Sequence, residues 1–325
     1  MDNLIFSELH AAGVISDASL HKIKSTDHSQ NVSVYWDLRT ILYLGVLLFT
    51  TGAGILVYKN IDTIGHTFIL LFIAAVCTTS FIYCIKKSPG FTLKKSPDVS
   101  AYFDYILLLA CLTFTCLIAY LQFQYHVFGF KYGLALFIPM LVLFITAYYF
   151  DNIAILSLAI TNLGAWAGIA VTPLQILKAN DFNSSTIIFT SMALGILLIL
   201  TGIITTKRKI KEHFEYTYLN FGANILFISC LAAMFEFTAY KLLFMLALLL
   251  IGLFFYKKSL SDKSFYFLLI TTLYIYIGLS NLAIYVIFYL PSFDIGSIYL
   301  AFFYFISSAI ALMFFLIKTN KKFKI

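Results

Sequence analysis

An all-α polytopic membrane protein is the fold class this sequence predicts, and three observations predict it. Apolar residues fill 61% of the 325 positions and charged residues only 11%, where a soluble domain carries roughly 25% charge. The apolar positions gather into ten long runs. Lys and Arg fall almost entirely in alternate gaps between those runs. None of the runs alternates apolar with polar, so an outer-membrane barrel is excluded.

Residues 1–39 are polar and predict a short cytoplasmic helical hairpin. Leu4, Ile5 and Leu9 share one helical face, Gly13 supplies a stop, and Ser16 caps a second helix carrying Leu20 and Ile23. His10, His21 and His28 are spaced unlike a metal-ligand set, and no Cys accompanies them. No signal peptide is expected, because the first apolar run begins near Thr40 without a small-residue cleavage pattern.

The ten spans are placed at 40–58, 66–85, 103–124, 132–150, 153–177, 185–206, 217–236, 239–256, 264–289 and 297–317. Each is long enough for a helix rising about 1.5 Å per residue to cross a core of about 30 Å. In lipid every backbone group must be satisfied within the segment, which makes the runs helices. Domain organisation is therefore a hairpin at 1–39, a ten-helix bundle at 40–317 and a basic cytoplasmic tail at 318–325.

Orientation follows from the cations. With the N-terminus inside, eighteen of the 22 Lys and Arg lie on the cytoplasmic side, and only Lys59, Lys131, Lys178 and Lys241 lie outside. That imbalance predicts that both termini are cytoplasmic. The inner loop 86–102, with Ser88-Pro89-Gly90 and Ser96-Pro97, reads as a turn-rich linker. Asp151-Asn152 is the shortest loop, and either residue can cap the fifth helix. The net charge of +7 is this topological signal and predicts no nucleic-acid partner. The basic inner loops and the tail are expected to rest on anionic lipids of the bilayer.

The middle of the membrane holds no Asp, Glu, Lys, Arg or His. Ion-coupled carriers keep ionisable groups at depth, and membrane hydrolases need an acid, a base or metal ligands. No catalytic residue, cofactor or metal site is expected on these grounds. Asp104 opens the third span, where a carboxylate favours the helix macrodipole. The five cysteines all fall inside apolar runs and predict no disulfide framework.

Uncharged polar and small residues are the remaining candidates. Gln122, Gln124 and His126 close the third span; Gln122 and His126 share a face and form either a polar mouth or a clamp to a neighbouring helix. Asn162 lies near mid-membrane in the fifth span, where Gly164 and Gly168 form a small-xxx-small face. Asn220 and Asn224 stand one turn apart in the seventh span, and Asn281 lies in the ninth. Interhelical bonding is the role expected of these amides, against a solute pathway. Leu44–Gly52 and Leu194–Gly202 are identical at six of nine positions and run in opposite directions, as an inverted repeat would require.

A family resemblance rests on particular residues. The N-terminal Leu4, Glu8-Leu9-His10-Ala11-Ala12-Gly13-Val14-Ile15-Ser16, the first span's Leu44-Gly45 and Gly52-Ala53-Gly54, and Ile118 through Gln122-Phe123-Gln124-Tyr125-His126 carry it. Over roughly residues 1–150 the chain resembles the bacterial predicted membrane proteins called domain of unknown function 2157. The resemblance implies a small cytoplasmic head before many spans, residence in the bacterial inner membrane, and no established activity. With the residue reading, it gives a multi-pass inner-membrane protein, not an enzyme, in a structural or regulatory role. Residues 1–39 would then engage a protein partner or a second copy. The alternative reading is a facilitator of a neutral or amphipathic small solute.

Overall fold

The computed structural model describes residues 16–17, 35–59, 65–96, 102–129, 131–171, 185–289 and 295–320. The expected hairpin lies outside the described residues except for positions 16–17 and 35–39. The last five residues of the tail lie outside them as well.

Ten helices are long and apolar enough to cross a membrane, and no strand occurs among the described residues. They are α1 (Tyr35–Lys59), α2 (His66–Lys87), α3 (Phe103–Tyr125), α4 (Tyr132–Phe150), α5 (Ile153–Val171), α6 (Ser185–Lys207), α7 (Glu215–Glu236), α8 (Lys241–Ser261), α9 (Phe265–Tyr289) and α10 (Ile295–Asn320). Each matches one expected run. The first starts earlier than its apolar stretch, because Asp37 in the opening turn suits a helix N-terminus. The last continues through Lys318, a cation placed in its final turn. The fifth is described only to Val171, six residues before the end of its apolar run.

The chain divides into two units, one up to Lys59 and the other from Asn60 onward. The first unit's described helix is α1. In the second unit, chain neighbours pack side by side: α2 on α3, α4 on α5, α6 on α7, α7 on α8 and α8 on α9, with α7 also touching α9. Helix α7 is the centre of this unit. Of its span 61% is buried, against 22–28% for α2–α6, α8 and α9 and none for α10.

The sequence of α7 explains its position. Gly222, Ala223, Ser229, Cys230 and Ala233 are small and buried, so neighbouring helices approach its axis. Larger residues fill what remains. Phe227 stacks on Tyr274 of α9 at 5.1 Å and 18°, and Phe255 of α8 stacks on Phe267 of α9 at 5.7 Å and 28°. Helix association in lipid lacks a hydrophobic driving force, so dispersion contacts of this kind carry the packing. Around them Leu219, Met234, Phe244, Met245 and Leu248 complete a hydrophobic core.

Candidate functional site

The densest polar arrangement lies where three connections meet at one end of the second unit. It begins with a local necessity. Helix α4 must reverse into α5 within two residues, and Asp151 does so in the left-handed conformation, φ 61°. Asp and Asn tolerate that region better than other non-glycine residues. Asn152 then caps α5: its Oδ1 accepts the Ile155 N–H at 3.1 Å, and its Nδ2 donates to Asp104 Oδ1 at 3.0 Å. The expected cap is thus in place, and Asp104 holds the cap residue as well as opening α3.

Turned this way, the Asp151 side chain is 3% exposed and faces the α6–α7 connection. Lys211 Nζ lies 3.0 Å from Asp151 Oδ1, and His213 Nε2 lies 2.7 Å from the same oxygen. The other oxygen, Oδ2, accepts the Ser96 backbone N–H at 2.5 Å. Lys211 is fully buried, and its Nζ also donates to the Lys94 carbonyl at 3.3 Å and the Thr92 hydroxyl at 3.5 Å. Its backbone N–H donates to the Leu93 carbonyl at 2.9 Å. One lysine therefore binds loop 91–96 through both main chain and side chain.

Lys211 and Lys209 hold left-handed backbones, φ 49° and 56°. A lysine gains nothing by itself in that region, which costs an L-residue roughly 1–2 kcal/mol. The joint's own bonds hold it there. A buried pair is stable only when the remaining donors and acceptors are met, because desolvation otherwise outweighs the attraction. Here Ser96, Lys94 and Thr92 meet them. A second ion pair at the start of α7 and end of α8 joins Lys258 to Glu215 at 2.8 Å and to Asp262 at 3.1 Å. Among the described residues no group of three His, Cys, Asp or Glu side chains could hold a metal. The joint does mechanical work: it fixes the α2–α3 loop, the α4–α5 turn and the α6–α7 connection to one another.

The residues singled out in the sequence sit elsewhere. Gln122 is buried, and its amide closes the turn that follows its own helix: Nε2 donates to the Gly129 carbonyl at 2.8 Å, and Oε1 accepts the Phe128 N–H at 3.0 Å. His126 ends α3 in a left-handed conformation, φ 49°, with its side chain exposed. Gln124 is half-buried on another face. Gln122→Leu should therefore remove both hydrogen bonds, to the Phe128 N–H and the Gly129 C=O, and lower stability by about 1–3 kcal/mol. Gln124→Leu should shift it by less than about 0.5 kcal/mol. The clamp to a neighbouring helix is thus replaced by a tie to the chain's own next turn, and equal midpoints in thermal unfolding in detergent would contradict that tie.

Asn220 and Asn224 do lie on one face, and they bond to α9. Asn224 Nδ2 donates to Asn220 Oδ1 at 2.9 Å, the Tyr266 hydroxyl donates to that same oxygen at 2.7 Å, and the Tyr274 hydroxyl donates to Asn224 Oδ1 at 2.9 Å. Asn162 and Asn281 each keep a carbonyl oxygen closed off from solvent with no partner among the described residues. Gly164 and Gly168 line a cavity of about 310 Å³ with Ile187, Thr190, Ser191 and Leu194 of α6 and Ile225 of α7. A Cβ on Gly164 would meet nothing within 4 Å, so this glycine leaves space there.

Sequence reasoning did not find Asp151, Lys211, His213 or Ser96 as a group. The available signal was the charge of Asp151, alone in the shortest loop and on the side that holds most of the cations.

Two comparisons find no relative: no curated protein and no solved structure matches the chain. A third does. The model of the family DUF2157, described as a predicted membrane protein, matches residues 7–156. The matched stretch takes in α1 to α4 and the Asp151-Asn152 turn, while Lys211 and His213 lie beyond it. Residues 7–156 of this membrane protein are thus similar to DUF2157, the family that the N-terminal and third-span motifs resemble.

Proposed function

We propose that this is a structural or regulatory multi-pass protein of the bacterial inner membrane. In this reading both termini face the cytoplasm, the basic inner loops and tail rest on anionic lipids, and residues 1–39 engage a protein partner or a second copy. One observation carries the reading: three connections on the cation-rich side are fixed to one another by a buried charge joint, over helices whose centre is filled with side chains. A fixed platform of this kind suits presenting a head and holding a bundle. It does not suit alternating access, which requires the connections to move against one another.

A second reading keeps the cavity lined by Gly164 and Gly168 as a place for a neutral or amphipathic solute. Flux separates the two. Proteoliposomes holding the purified chain should shrink and recover under a glycerol or urea gradient at the rate of empty liposomes, followed by stopped-flow light scattering. A saturable, protein-dependent rate that Gly164→Leu abolishes would overturn the structural reading in favour of the facilitator.

A further inference from the structure

Exposed apolar side chains on the helices of a membrane protein need no special account, since lipid covers them. Phe91 and Leu93 do need one. They are 54% and 56% exposed on a non-helical segment that starts where α2 ends. Lys86 and Lys87 precede them, Lys94 and Lys95 follow, and all four cations are exposed. We propose that residues 88–96 form an interfacial strap, with Phe91 and Leu93 seated between the headgroups of an anionic bilayer and the flanking lysines on its phosphates.

The segment is held in one conformation. Ser88 donates its N–H to the Cys84 carbonyl at 2.9 Å, so α2 stops there. Ser88 Oγ accepts the Gly90 N–H at 3.1 Å, and Gly90 turns the chain at φ 91°, a conformation that suits glycine. The Thr92 hydroxyl donates to the Lys94 carbonyl at 2.8 Å and meets the Ser96 hydroxyl at 2.9 Å. Lys211 and Asp151 then fasten the segment at Leu93, Lys94 and Ser96. The strap cannot lift away from the membrane-facing end of the helices. Its apolar side chains are therefore kept within a few residues of the end of a span, at the depth of the headgroups.

Charge selects the occupant. Lys207, Arg208 and Lys209, also exposed, belong to the connection that holds the strap and extend its basic surface. The joint's carboxylate does not neutralise this surface, because Asp151 is buried against Lys211 and His213. Apolar side chains ringed by lysines are the composition that binds an anionic lipid surface. This proposal rests on the reading that the basic inner loops lie on anionic lipids and adds which side chains enter the bilayer, so that bromolipid quenching tests insertion and the phosphatidylglycerol increment tests the lysine contact.

The test uses the full chain in nanodiscs, with Phe91→Trp in one variant and Leu93→Trp in a second, each in a background where Trp36 and Trp166 are Phe. The discs contain phosphatidylcholine alone or mixed with phosphatidylglycerol, and part of the lipid is brominated high on the acyl chain. Bromolipid should quench the new tryptophan at least about twofold, and more with phosphatidylglycerol than without. Lys94→Gln with Lys95→Gln should remove the increment due to phosphatidylglycerol. Emission at both positions that iodide quenches and bromolipid does not would overturn the proposal and leave the patch to a protein partner or to water. Quenching that is indifferent to phosphatidylglycerol would overturn its anionic selectivity.

Discussion

Asp151→Ala should lower the stability of the detergent-solubilised protein by about 3–5 kcal/mol, the range for removing one partner of a buried ion pair. The size follows from what is left behind. Lys211 stays fully buried, with the Lys94 carbonyl, the Thr92 hydroxyl and, at 5.9 Å, the Phe91 ring left near its ammonium. The Ser96 N–H loses its acceptor, and His213 loses the group its Nε2 faces. Lys211 also loses one of the bonds that hold its left-handed backbone, and alanine replaces aspartate at a left-handed position that it tolerates less well. Lys211→Met in the same chain should restore most of the loss, because an apolar group of similar length suits the buried site better than an uncompensated charge. The measurement is a four-variant thermal unfolding cycle: wild type, each single change and the pair. Additive losses would show that the two side chains do not act as a unit. An unchanged midpoint for Asp151→Ala would remove the joint as a structural element.

The ten helices were legible because their signal is local. An unbroken apolar run of this length has one stable form in lipid, and the cations between runs need no tertiary knowledge to count. The face shared by Asn220 and Asn224 was legible for the same reason, as helical spacing. Their acceptor bonds to Tyr266 and Tyr274 were not, being 46 and 50 residues distant. The charge joint was hidden for a further reason. Lysines at 207–211 read alike in sequence whether solvated or buried, yet Lys209 is exposed and Lys211 has no exposure at all. Only the left-handed turns at Asp151 and Lys211 bring the two together, and no periodicity announces them. Gln122 shows the remaining limit. Spacing put it on one helical face with His126, but His126 leaves the helix in a left-handed turn, and spacing alone could not tell a neighbouring helix from the chain's own next turn.

Glycine packing teaches the same lesson and gives the other large effect. The small-xxx-small pattern in α5 marks Gly164 and Gly168, yet the most extensive helix packing, with main chain against main chain, lies between α6 and α7. A Cβ on Gly195 would sit 2.9 Å from Leu226 Cβ, 3.0 Å from the Leu226 backbone nitrogen and 3.1 Å from the Gly222 carbonyl oxygen. A Cβ on Gly222 would sit 2.8 Å from Ile199 Cγ1 and 3.0 Å from the Gly195 carbonyl oxygen. Two of the three atoms around Gly195 are main chain, so no rotamer change relieves the clash, and the helices themselves must separate. Separation would loosen the stacked core that α7 carries at its centre. Gly195→Ala and Gly222→Ala should each destabilise by about 1–3 kcal/mol, and leucine at either position by more. Gly164→Ala should leave stability within about 0.5 kcal/mol of wild type, since its Cβ enters open space. Thermal unfolding of the three alanine variants in one detergent decides it. A loss at Gly164 equal to that at Gly195 would mean that α5, rather than α7, is the helix whose close approach holds this unit together.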